Sequence, residues 1–92
     1  MDKKEALKKV QDACESIFGV GADELEMDKT LYDNGMGQPE QLILMLRLEA
    51  EFNVECDDKF FNQLDKPENP KLFGNRPVNE LVDYFYELVE NK

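Results

Sequence analysis

From Ala6 to Phe18 the apolar residues Leu7, Val10, Cys14 and Ile17 recur at intervals of three and four, the stripe of an amphipathic helix. Gly19 and Gly21 stop it. Pro39, with its fixed φ and missing N–H, suits the first position of a second helix, which the pattern carries to Phe52 with Asn53 as its end. Asp57 and Asp58 offer the cap for a short third helix bearing Phe60, Phe61 and Leu64. Pro67, Pro70 and Gly74 make the stretch from Asp65 to Arg76 an irregular connection. Pro77 then opens a final helix in which Val78, Leu81, Val82, Phe85, Leu88 and Val89 keep helical spacing. No segment alternates with the period of a strand. The expected fold is therefore all-α: a four-helix bundle of three long helices and one short, forming a single domain over residues 1–92.

Two departures from a minimal bundle stand out. The first is the connection from Gly19 to Gln38, which contains four glycines, many acids and the apolar residues Val20, Leu25, Met27, Leu31, Tyr32 and Met36. Loops of about 20 residues are uncommon and usually functional, and these apolar side chains predict one pinned to the core. The second lies in the helix after it. At about 100° per residue, Leu44, Met45, Leu48 and Phe52 share one quadrant, whereas Ile43, Leu46 and Ala50 fall opposite. A helix apolar on two faces is either covered on both or meets a partner with the second. Both readings stand at this point, the third helix and the long loop being the candidates to cover Ile43 and Leu46.

Composition narrows the function. Apolar residues at 41% and charged residues at 35% fit a folded domain with a solvated exterior. Asp and Glu number 21 against 11 Lys and Arg, a net charge of -10 that repels phosphate backbones and anionic headgroups, so neither nucleic acid nor a membrane is an expected partner. Lys3, Lys4, Lys8 and Lys9 gather near the amino terminus, where, interleaved with Glu5, they read as a solvated helix face. No run approaches the roughly 20 apolar residues of a spanning helix, and the opening MDKKEALKK lacks a signal peptide's apolar run, so a cytoplasmic location is the expectation. Cys14 and Cys56 suggest neither a disulfide framework nor a zinc site and read as small buried hydrophobes.

Catalytic chemistry is sparse. The chain has no histidine, which removes the commonest general base and any Ser-His or Cys-His pair. Its aliphatic hydroxyls are Ser16 and Thr30, neither beside an activating residue in sequence. Asp23, Glu24, Glu26, Asp28 and Asp33 form an acidic loop, but their spacing does not match a calcium loop, which needs acids at alternate positions, a central glycine and a closing Glu. The expectation is a non-enzyme with no metal site, acting by binding.

The order of elements, with a long acidic loop ending in Asp33-Asn34-Gly35-Met36-Gly37-Gln38 at the head of the second helix, resembles the acyl carrier protein family and the related peptidyl carriers. Two stretches carry the likeness, which covers nearly the whole chain. Leu31-Tyr32-Asp33-Asn34-Gly35 is similar to the family's approach to that helix, and Leu48-Glu49-Ala50-Glu51-Phe52-Asn53-Val54-Glu55-Cys56-Asp57 is similar to the helix's end. In that family an Asp-Ser-Leu triplet follows the glycine turn, and its serine carries phosphopantetheine, the linking phosphate being favoured by the helix amino terminus. Here the triplet position reads Gly37-Gln38-Pro39. An amide cannot take up the phosphate, so the resemblance implies a carrier fold without its cofactor. Family members also present acids along the outer face of this helix, where this chain has Ile43, Leu46 and Arg47 with Ala50 beyond, which implies different partners.

Three functions are expected: a carrier-like protein-interaction module that binds a protein partner through Ile43, Leu46, Arg47 and Ala50 near some fatty-acid, polyketide or peptide biosynthesis; a working carrier modified at Ser16 or Thr30, or one holding an acyl chain in its bundle; and a self-associating structural protein, a homodimer through the same face.

Overall fold

A computed structural model describes residues 1–56 and 72–92 of the chain, with the side chain of Gln38 outside the description. Three α-helices account for most of it: α1 (Lys3–Phe18), α2 (Gln38–Phe52) and α3 (Val78–Glu90), with a 3₁₀ turn at Phe73–Asn75. There is no strand among the described residues, only an isolated bridge between Thr30 and Pro77. The architecture is all-α. The short helix expected after Asp57 and Asp58, and the part of the connection up to residue 71, lie outside the described residues.

Each helix is bounded by an identifiable device. Asp2 caps α1, its Oδ1 accepting from the Glu5 N–H at 2.9 Å, and Gly19 ends it with φ 74°, a left-handed conformation that a residue without Cβ adopts at low cost. Helix α2 begins one residue earlier than expected: Gly37 is its cap and Gln38 its first residue, which puts Pro39 second, still among the N–H groups that have no intrahelical partner. Asn53 closes α2 in the left-handed region at φ 55°, a conformation that Asn tolerates better than other side chains that carry a Cβ. Glu49 secures the chain beyond the helix end, its backbone carbonyl accepting from Val54 N–H and its Oε2 accepting from Cys56 N–H at 2.7 Å.

Helix α1 packs against both α2 and α3, and the core fills the space among them. Leu44, Met45 and Leu48 of α2, Val10 and Cys14 of α1, and Val78, Leu81 and Phe85 of α3 are wholly buried. Each large side chain sealed from water in this way contributes roughly 1.5–3 kcal/mol before the entropy of ordering it. Phe52 stacks on Phe85 with ring centroids 5.3 Å apart, joining the end of α2 to α3. The face of α1 differs from the expected stripe: Ala6 and Ala13 are buried with Val10 and Cys14, whereas Leu7 and Ile17 sit half-buried at its margin.

The long loop is pinned as its composition predicts, with Leu25, Leu31 and Met36 buried. Backbone bonds add to this. Val78 N–H donates to the Lys29 carbonyl at 3.0 Å and Asn79 N–H to the Met27 carbonyl at 2.9 Å, so the loop satisfies two donors that the first turn of α3 leaves open. Tyr32 N–H donates to the Gly74 carbonyl. Leu72 and Phe73, placed by sequence in an irregular connection, belong to the buried interior.

Gly74 is the tightest point of this arrangement. A Cβ there would stand 2.6 Å from the Tyr32 ring and closer still to Oε1 of Gln41, a wholly buried side chain held by its Nε2–H bond to the Met36 carbonyl at 2.7 Å. To yield, Gln41 would have to give up that buried bond. Gly74→Ala is therefore expected to destabilise the fold by about 1–3 kcal/mol, the range for overpacking. A urea-unfolding midpoint equal to that of the wild type would contradict this contact.

Candidate functional site

The head of α2 and the loop that delivers it form the part of the molecule in which the family resemblance places function. Asn34 organises the loop. Its Oδ1 accepts from the Glu26 N–H at 2.9 Å, and its Nδ2 donates to the carbonyls of Glu26 at 3.0 Å and Thr30 at 2.8 Å. Thr30 Oγ1 accepts from the Asp33 N–H at 3.0 Å, and Gly35, at φ 84°, turns the chain toward Met36, whose N–H returns to the Leu31 carbonyl. One side-chain amide thus ties together both arms of the turn, work suited to an Asn in an Asp-Asn-Gly sequence.

Beyond the turn, Gly37 caps α2 with no side-chain hydrogen bond. A phosphodiester link to pantetheine needs a hydroxyl at this position, and Gly37, Gln38, Pro39 and Glu40 contain none. The chain's two aliphatic hydroxyls are elsewhere: Ser16 is exposed on α1, and Thr30 is engaged in the loop. The residues at the head of α2 do not fit the family's cofactor.

Along the helix, the four side chains singled out from sequence lie together on one open face. Ile43 is 55% exposed and Leu46 51%, while Arg47 and Ala50 are also exposed. The opposite residues Leu44, Met45, Leu48 and Phe52 are buried, so the two stripes predicted from spacing separate into core and surface. Arg47 Nε lies 3.2 Å from Glu51 Oε1, an exposed pair one turn apart that is worth only tenths of a kcal/mol and leaves the guanidinium available to another anion.

Of the amino-terminal lysines, Lys3, Lys4 and Lys8 are exposed, as a solvated face requires, and Lys9 is half-buried. Lys3 pairs with Asp83 of α3, and this carboxylate, by hydrogen bond and by charge, raises the ammonium above its ordinary range. Lys9 donates to the Glu51 carbonyl at 3.3 Å with its Nζ 5.6 Å from the centre of the Phe52 ring, neutralising part of the negative end of α2.

The cysteines offer no nucleophile at neutral pH. Cys14 is buried, and burial pushes its thiol up to about 12; Cys56, half-buried where full burial was expected, is pushed up to about 12 by burial and then by the charge and hydrogen bond of Glu49. Among the described residues no three Asp, Glu, Cys or His side chains converge to hold a metal ion, and no helix is long and apolar enough to cross a membrane.

Three comparisons with known proteins add nothing: no family profile, no curated protein and no solved structure matches the chain.

Sequence reasoning missed two features of this region. The Asp-Asn-Gly turn signal was available to mark Asn34, but its partner Glu26 lies eight residues back and no local pattern identifies it. Gln41, polar and not singled out from sequence, falls by helical spacing on the same stripe as Leu44, Met45, Leu48 and Phe52, and it is wholly buried.

Two outcomes are expected. Asn34→Ala should destabilise the domain by about 1–3 kcal/mol, because it removes three side-chain hydrogen bonds to the backbone, two of them at Glu26, and should speed amide exchange at Glu26; unchanged exchange there would remove Asn34 from its organising role. Both thiols keep their protons in the folded state above the pH at which an unfolded thiol ionises, so the unfolded chain releases protons first and stability falls as pH rises from about 9 toward 12. A Cys14→Ala, Cys56→Ala double variant should lose less stability over that window in urea titrations, and an equal loss would contradict the assignment.

Proposed function

We propose that this chain is an acyl-carrier-like domain, in the four-helix form of that fold, that bears no phosphopantetheine and works as a protein-interaction module. The observation that carries the reading is the open stripe on α2: two large aliphatic side chains more than half exposed, directly after a loop held in one conformation by Asn34. In this reading Gln38 stands where carriers have their serine, and Ile43, Leu46, Arg47 and Ala50 make the contact surface.

The size of the stripe argues for a transient contact with another protein over a stable dimer. Covering the exposed halves of Ile43 and Leu46 yields roughly 1.5–3 kcal/mol in total, less than the roughly 4 kcal/mol or more that association costs, so a partner must supply further contacts. Two copies of a chain with a charge of -10 also repel one another, whereas a different protein with an apolar anchor and an anionic group facing Arg47 meets both parts of the stripe. Biosynthetic enzymes or carriers are the class of partner that the resemblance suggests.

Ile43→Glu tests the proposal, since the side chain lies outside the core and its replacement should leave folding stability within about 0.5 kcal/mol of the wild type. Affinity capture with the two proteins side by side should show a partner retained by the wild type and lost by the variant, with both sedimenting as monomers. A wild type that sediments as a dimer and a variant that does not would replace the module with the self-associating protein. Partners retained equally by both would remove this face from the function.

A further inference from the structure

A second concave site lies away from the α2 stripe, where the first turns of α1 and α3 diverge over the loop. Lys3, Lys4 and Leu7 come from α1, Met27 from the loop, and Asn79, Val82 and Asp83 from α3, lining an open groove of about 560 Å³. That volume falls within the range of small-molecule sites. Its wall is built rather than incidental: the backbone bond from Asn79 N–H to the Met27 carbonyl fixes the loop to the helix at the groove itself, and the bond from Val78 to Lys29 fixes it next door.

The lining has two chemistries. Leu7, Met27 and Val82 are aliphatic or thioether, and Met27 adapts to irregular shapes. Its polar lining residues are Lys3, Lys4 and Asn79, against the single carboxylate residue Asp83. Asp83 is engaged by Lys3 across the mouth, so Lys4, exposed and with no carboxylate in reach among the described residues, is the charge left to a ligand. With Lys3 paired to Asp83, Lys4 leaves the lining one net positive charge on a chain of charge -10, which favours an anionic group there.

We infer that this groove binds a small amphipathic carboxylate, its apolar body on Leu7, Met27 and Val82 and its carboxylate at Lys4 and Asn79. The site lies between the outer shoulders of α1 and α3, apart from the interior packed by Val10, Leu44 and Leu48, and it does not depend on the reading of α2.

Octanoate is a suitable probe, titrated into the full-length protein and followed by amide and methyl NMR, with octylammonium and octan-1-ol as controls of equal chain length. The expected result is saturable shifts confined to Leu7, Met27, Asn79 and Val82 with octanoate, at most weak ones with the alcohol, none with the amine, and affinity lowered about fivefold in Lys4→Glu, an exposed substitution that leaves the core untouched. No shifts at millimolar octanoate, equal response to octylammonium, an unchanged affinity in Lys4→Glu, or shifts centred on Val10, Leu44 and Leu48 would each overturn the assignment.

Discussion

Helix α2 carries apolar side chains around more of its circumference than a domain of 92 residues covers, and most of the molecule's distinctive features stem from that constraint. One stripe, Leu44, Met45, Leu48 and Phe52, is taken into the core by α1 and, through the stack of Phe52 on Phe85, by α3. With α1 wedged against both other helices, the far side of α2 turns outward, and Ile43 and Leu46 remain in water. Scattered apolar residues on a surface are ordinary; two one turn apart on a single helix face, beside an Arg and an Ala, form a patch on which a partner can seat.

The loop before α2 makes that patch usable. A connection of about 20 residues would normally cost the helix its orientation, but this one is buried at Leu25, Leu31 and Met36 and bonded to α3 at Met27 and Lys29, to the 3₁₀ turn at Tyr32, and to itself through Asn34. Gln41 reaches back from the first turn of α2 to the Met36 carbonyl, so the helix and its approach hold each other. The same stitching shapes the groove between α1 and α3, which makes the loop common to both surfaces.

Much of this was legible in the sequence, for a physical reason. Helix periodicity, the glycine stop at Gly19, the left-handed Asn53 and the two stripes of α2 are local consequences of side-chain shape and spacing, and they needed no knowledge of the fold. The beginning of α2 moved by a residue because proline is tolerated anywhere among the unpaired N–H groups of a first turn. The features that sequence left hidden are non-local. Phe73 enters the core from a segment whose prolines and glycine signal only irregularity, and Lys3 finds Asp83 eighty residues on. The α1–α3 groove exists only because such distant contacts close around it.

Function on this account comes from the hydroxyl that the head of α2 lacks together with the apolar face that its flank displays. Carriers of the resembled family present an alcohol there, and this chain has Gly37, Gln38 and Pro39 before an apolar outer face. The most direct measurement is the intact mass of the protein after incubation with coenzyme A and a broad-specificity phosphopantetheinyl transferase, run beside a working carrier. The account predicts an unchanged mass for this chain while the working carrier is converted; a gain equal to one phosphopantetheine group would contradict it.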